Sequence, residues 1–173
     1  LVTPKLEYAQ GFGPNYKMFV YNTDLPSIDD IDGDGDLDIL GFTLDFTFPQ
    51  NIFWYKNTSV EDGFGCDSLH FILENQCWGQ IQETGDSSKV NFSPSTDSCI
   101  NNPWYMEAVG NNFERNGGRN PRHIGANITT IDVDGDSIKE LFLGGVTFNN
   151  LNKVSGIEIN DTLLMGQQDI YFP

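Results

Sequence analysis

A nine-residue acidic loop occurs twice in this chain, and each copy runs straight into an apolar stretch. The first is Asp30-Ile31-Asp32-Gly33-Asp34-Gly35-Asp36-Leu37-Asp38, followed by Ile39-Leu40-Gly41-Phe42. The second is Asp132-Val133-Asp134-Gly135-Asp136-Ser137-Ile138-Lys139-Glu140, followed by Leu141-Phe142-Leu143-Gly144-Gly145. Both place carboxylates at loop positions 1, 3, 5 and 9. Alternate residues of a tight loop can converge on one point. Each like-charge pair at about 4 Å then costs roughly 4 kcal/mol at an effective dielectric of about 20. Such a loop closes only around protons or a cation. Calcium suits it, as a hard ion that takes six to eight oxygens in a flexible shell, whereas magnesium demands strict octahedral geometry. Glycine lets the backbone turn where a Cβ would clash. Position 7 is Asp36 in one loop and Ile138 in the other, and an isoleucine can serve only through its backbone carbonyl. The expected ligand set is Asp30, Asp32, Asp34, Asp36 and Asp38 in the first loop, with Asp132, Asp134, Asp136, Ile138 and Glu140 in the second. Two structural calcium ions at the entrances to strands are therefore expected.

A solvated acidic turn is the simpler reading of one such loop, since Asp and Gly are ordinary turn residues. Two loops with the same spacing and the same apolar sequel favour the ion. An EF-hand also begins D-x-D-x-D-G, but it needs a bidentate Glu at position 12 and flanking helices. Position 12 is Gly41 in the first loop and Leu143 in the second, and the flanks read as strand. Thrombospondin-type calcium repeats are dense in cysteine and poor in buried strands, unlike this chain.

The loops resemble the calcium loops of FG-GAP (integrin-α-like, also called VCBS) β-propeller repeats, which read D-x-D-x-D-G-x-x-D before a hydrophobic strand. Pro26-Ser27-Ile28-Asp29-Asp30 through Phe42 is similar to that repeat. Ile128-Thr129-Thr130-Ile131-Asp132 through Gly145 is similar with two departures, Ser137 for the usual glycine and Glu140 for the last aspartate. Residues 51–59 and 119–151 resemble secreted FG-GAP proteins of Bacteroidota. The resemblance implies a calcium-stabilised β-propeller exported by the type IX system, with the secretion machinery as a partner during export. Proteins of that kind commonly carry a C-terminal sorting domain, and none is visible in the sequence.

The 173 residues can bury one good core. Eighteen glycines, 13% aromatic residues and no long helical periodicity favour an all-β class. The formal net charge of −16 argues against nucleic acid and anionic membrane as partners. No apolar run approaches the length of a membrane span. The chain starts at Leu1 without a signal peptide, so a processed chain or a fragment is expected. Three cysteines, Cys66, Cys77 and Cys99, lie between the loops. One disulfide suits an exported protein, and Cys66–Cys77 is favoured among the three possible pairings. Zinc would need a fourth ligand and a tighter spacing.

Strands are expected over 16–21, 37–43, 52–55, 70–74, 141–148 and 156–160, with a turn near Pro49. Residues 84–120 show little periodicity and read as a long loop. Asp30 and Asp132 are 102 residues apart, whereas propeller repeats run to roughly 40–50. Residues 1–65 are therefore read as one blade with the first calcium loop. Residues 66–120 are read as an insertion or degenerate blade holding the cysteines, and 121–173 as a blade with the second loop. A closed ring needs about four to eight blades, so two to three blades make a partial propeller with a loop-rich insertion.

Catalysis finds little support. His70 lies in an apolar run and reads as packed or half-exposed, and His123 sits in a basic turn with Arg119 and Arg122. Neither belongs to a nucleophile motif. Trp54 reads as core, while Trp78 and Trp104 are candidate platforms for stacking sugars. N-glycosylation sequons begin at Asn57, Asn91, Asn127 and Asn160 and are read as chance; Asp67-Ser68-Leu69 and Asp161-Thr162-Leu163 resemble the O-glycosylation signal of Bacteroidota. The expected function is non-catalytic binding or adhesion at the bacterial cell surface, to a protein or glycan ligand. An accessory domain of a secreted polysaccharide-degrading enzyme, or a lectin, is the alternative.

Overall fold

The period-two pattern of Ala126-Asn127-Ile128-Thr129-Thr130-Ile131 is the signature of a half-buried strand. In the structure, a computed structural model, these residues alternate buried and exposed along one strand. The described residues are 6–9, 14–18, 20, 23–42, 50–65, 68–83, 89–93, 95, 99, 126–146, 149–159 and 162–172. They are mostly strand with almost no helix, in two sheets, neither of them closed. The all-β class holds.

Among the described residues twelve strands follow in chain order: β1 (Glu7–Ala9), β2 (Tyr16–Lys17), β3 (Ser27–Asp29), β4 (Asp38–Phe42), β5 (Gln50–Asn57), β6 (Phe71–Asn75), β7 (Ile81–Glu83), β8 (Val90–Phe92), β9 (Ala126–Ile131), β10 (Glu140–Gly145), β11 (Leu151–Ile159) and β12 (Thr162–Asp169). The first sheet runs β2-β1-β6-β5-β4-β3, with β7 paired to the start of β5 and β8 to β7. The second runs β12-β11-β10-β9. Within them, β3 to β6 and β9 to β12 are two antiparallel meanders of four strands each. Each opens with a strand, an acidic loop and a second strand. The register repeats as well: Asp29 faces Asp38 across the first loop, and Ile131 faces Glu140 across the second.

The edge strands of the two meanders meet side by side. Leu25, just before β3, donates its amide to Ala126 O at 3.0 Å and accepts from Ile128 N at 3.0 Å, in a parallel bridge. The Ser27 and Thr130 hydroxyls hydrogen-bond at 2.9 Å, both buried. Between the sheets lies the main core. Leu40, Phe42 and Ile52 from one face of the first sheet, with Trp78, Ile81 and Val90, pack against Ala126, Ile128, Leu141, Leu143, Val154 and Met165 of the second. The opposite face of the first sheet carries its own cluster, Ile39, Tyr55 and Phe71, with Tyr8, Met18, Phe53 and Leu73 packed on it. With apolar groups on both faces, β4 is buried at all five residues, as its continuous apolar run suggests.

Two expectations need correction. Cys77 is bonded to Cys99, with Cα atoms 6.2 Å apart, and not to Cys66, which lies outside the described residues. Both sulfurs sit against the start of β7, near the Ile81 carbonyl, and that tertiary placement, not sequence proximity, selects the pair. Trp78 is no surface platform: it is 2% exposed and belongs to the inter-sheet core. It is placed there by a tight turn whose Gly79 has φ +66°, with Met165 of β12 packed beside that glycine. Trp104, His123, Pro49, Asp67, Asn160 and Asp161 lie outside the described residues. Asn57 is 3% exposed, with its side-chain carbonyl accepting from Ser59 and His70, so its sequon is not accessible to a glycan. No helix among the described residues is long and apolar enough to cross a membrane.

Candidate metal centre

A carboxylate that holds backbone amides pre-shapes its own loop, and both loops are built this way, position by position. The position-1 carboxylate accepts from the amide of position 4: Asp30 Oδ1 from Gly33 at 2.8 Å, Asp132 Oδ1 from Gly135 at 2.7 Å. Its other oxygen accepts from position 6: Asp30 Oδ2 from Gly35 at 3.2 Å, Asp132 Oδ2 from Ser137 at 3.0 Å. The position-5 carboxylate accepts from position 7, Asp34 from Asp36 at 3.0 Å and Asp136 from Ile138 at 2.8 Å. The position-9 carboxylate reaches back to position 2, Asp38 to Ile31 at 3.3 Å and Glu140 to Val133 at 2.8 Å. Left-handed backbone falls at positions 4 and 6 of each loop: Gly33 and Gly35 at φ +79° and +99°, Gly135 and Ser137 at +80° and +73°. Ser137 thus adopts a conformation that glycine takes without penalty.

This backbone brings positions 1, 3 and 5 together. Asp30, Asp32 and Asp34 each offer an oxygen within 4.8 Å of the others, and so do Asp132, Asp134 and Asp136. Oxygens on one calcium ion lie about 2.3–2.6 Å from it, so each trio is close to the spacing that one ion needs. The donors are all hard oxygens, as calcium requires. The remaining carboxylates take other places. Asp38 is fully buried, with Oδ1 accepting from Asn57 N at 2.7 Å. The Asp36 side chain turns from the trio toward the loop after β5, accepting from Val60 N at 3.2 Å and grouping with Asp34 and Glu61. Asp36 Oδ1 is a buried oxygen without a hydrogen-bond partner, and Asp34 Oδ2 is buried without a hydrogen bond and has the Lys56 ammonium 3.6 Å away; a buried carboxylate oxygen left unbonded is one a cation would satisfy. Glu140 is 5% exposed, and its free oxygen meets Lys153 Nζ at 3.1 Å. Ile138 is partly buried at position 7 with its amide on Asp136.

The electrostatics carry the same strain. Burial pushes the Asp38 carboxyl up to about 7, against the opposing pull of the Asn57 amide. Asp34 is also raised, first by burial and then by the charges of Asp32, Asp36 and Glu61, with the Asp36 amide opposing. Three residues absent from the expected set shape the first loop. Lys56, at the end of β5, pairs with Asp32 and Glu61 and lies 3.6 Å from Asp34 Oδ2. Its hydrogen bonds to Asp32 and Glu61 outweigh burial and hold its ammonium above the usual lysine range, while the Lys56 contact holds Glu61 below the usual carboxylate range. Asn57 supplies the amide that grips Asp38. The pairing of Ile39 with Tyr55 places Lys56 one residue further along, beside the loop, so strand register was the signal that could have found it.

Both loops open on one cleft of about 880 Å³ between the sheets, lined by Asp30, Asp32, Asp132, Ser137 and Trp54. Lys139 reaches across from the second loop to Asp29 at 3.1 Å. His70 stands elsewhere, half-exposed, with Nδ1 against Asp62 and the Thr58 hydroxyl. That pairing, chiefly the His70 hydrogen bond, holds the Asp62 carboxyl below its ordinary value. Searches of family models, curated proteins and solved structures find nothing that matches this chain.

Proposed function

We propose that the chain forms two calcium-stabilised blades of an FG-GAP-type β-propeller. In this reading it is exported, by the type IX route, and serves as a non-catalytic binding or adhesion module at a bacterial cell surface. One observation carries the calcium reading: two acidic loops 102 residues apart repeat four backbone-to-carboxylate hydrogen bonds and two left-handed positions at equivalent places. Neighbouring blades would place equivalent strands side by side around an axis, and the parallel contact of the β3 and β9 edges fits that arrangement. The Cys77–Cys99 disulfide suits an oxidising compartment. Asp30, Asp32 and Asp34 would hold one ion, and Asp132, Asp134 and Asp136 the other. Each ion would offset two of a carboxylate trio's three charges and tie two strands, adding stability because it binds only the folded chain. Loops on a rigid sheet scaffold are where binding usually resides, and the ligand would be a surface protein or glycan.

The test is calcium titration by calorimetry with magnesium as the competitor. Two calcium-selective events are expected. A chain that takes up no calcium, or takes magnesium equally well, would overturn the reading.

A further inference from the structure

The two loops share their local chemistry but not their surroundings. In the first, the Lys56 ammonium lies among the carboxylates a cation would need: it pairs with Asp32, lies 3.6 Å from Asp34 Oδ2, and is held from the other side by Glu61. Asp32 and Asp34 are positions 3 and 5 of the ligand trio. In the second loop the lysines are placed elsewhere. Lys153 meets Glu140 at position 9, and Lys139 turns away to Asp29. Among the described residues no ammonium meets Asp132, Asp134 or Asp136. Strand register accounts for the difference. Ile39 pairs with Tyr55 and Leu141 with Val154, so the next residue beside each loop is Lys56 in one meander and Ser155 in the other.

We propose that Lys56 is an intramolecular competitor for the cation of the first loop, displaced when calcium enters. This rests on the calcium reading above. A divalent ion on Asp30, Asp32 and Asp34 cannot share Asp32 and Asp34 with an ammonium at contact distance without strong like-charge repulsion. Entry of the ion therefore breaks the Lys56 pairs with Asp32 and Asp34 and sends the ammonium toward Glu61 or solvent. The first loop thus pays for its calcium by losing an existing ion pair, while the second loop has none at its trio to lose. Ligand charge count tunes calcium affinity over orders of magnitude, and one added positive charge among three carboxylates acts in that sense. Lys56 also joins the loop to Glu61 in the segment after β5, so its release would couple calcium uptake to that segment.

The experiment isolates the first loop with Asp132→Asn and titrates calcium by calorimetry, with and without Lys56→Met, which keeps the apolar stem and removes the charge. Lys56→Gln serves as a second variant should the first fail to fold. First-loop affinity is expected to rise about tenfold or more, equivalent to about 1.4 kcal/mol. In the unsubstituted chain, calcium is expected to increase acylation of the Lys56 amine, read by mass spectrometry. Calcium affinity unchanged within about twofold, or Lys56 equally reactive with and without calcium, would overturn the inference and leave the calcium reading standing. A chain that takes up no calcium at either loop would overturn both.

Discussion

Replacing Asp38 by Asn should stabilise the chain only at higher pH, and calcium should reverse that effect. Asp38 has no solvent exposure, and burial raises its carboxyl to about 7, against an ordinary value of about 3.9. The folded chain therefore keeps a proton between those values that the unfolded chain has released. Without calcium, stability falls as pH rises through that window and levels off above it, by roughly 4 kcal/mol in all. Asp38→Asn removes the charge that causes the fall. It also has a cost: the carboxylate accepts from both Asn57 N and Ile31 N, and an amide must turn its NH₂ toward one of these donors. Losing that hydrogen bond in a buried place costs about 1–3 kcal/mol. In EDTA at a pH near 8 the variant should gain about 2 kcal/mol net, a rise of about 4–8 °C in melting temperature for a chain this size. At a pH near 5 wild-type Asp38 is already protonated, and the gain should vanish. Excess calcium should reverse the order at the higher pH, because the position-9 charge then helps to hold the ion. A site filled at about a hundred times its Kd adds about 2.7 kcal/mol to wild type. Thermal melts followed by circular dichroism in these three conditions read all of it. A variant equally destabilised at both pH values in EDTA would refute the buried-charge argument, and one indifferent to calcium would remove Asp38 from the ion's neighbourhood.

Ser137 at φ +73° carries a left-handed penalty of about 1–2 kcal/mol, of which glycine's extra chain entropy returns roughly 0.5–1; Ser137→Gly should stabilise by about 0.5–1 kcal/mol in urea unfolding, and a loss would contradict the assigned turn. A Cβ on Gly156 would fall 2.3 Å from the Leu164 carbonyl oxygen at the β11–β12 bulge, so Gly156→Ala should cost about 3 kcal/mol, and an unshifted melt would mean the strands can part there. Unreduced peptide mapping should recover a Cys77–Cys99 crosslink, and reduction should cost about 3 kcal/mol for a sequence separation of 22 residues; a crosslink to Cys66 would refute the pairing.

The parts of this protein that could be read from its residues are those whose constraint is local. Carboxylates at alternate positions, glycines where the backbone turns left-handed and an apolar run immediately after describe the acidic loops and β4 and β10 without reference to anything distant. The strand β12 carries little local signal, because its half after Met165 is Gly166-Gln167-Gln168-Asp169, and an outer strand needs little apolar alternation when one side meets water. Trp78 misleads for the opposite reason. Its sequence neighbours are polar, but a glycine turn puts it under Met165, almost ninety residues away. The cysteine pairing is likewise a tertiary fact: Cys77 and Cys99 meet beside the Ile81 carbonyl of β7. The candidate centre divides along the same line. Its ligands belong to a nine-residue pattern, whereas what those ligands must give up to hold an ion is decided by a neighbouring strand: Lys56 stands 24 residues from the Asp32 it contacts, and the other meander has Ser155 at the corresponding place. Two loops that share a ligand pattern need not share an affinity, because the pattern specifies the oxygens and the strand beside it specifies the competing charge.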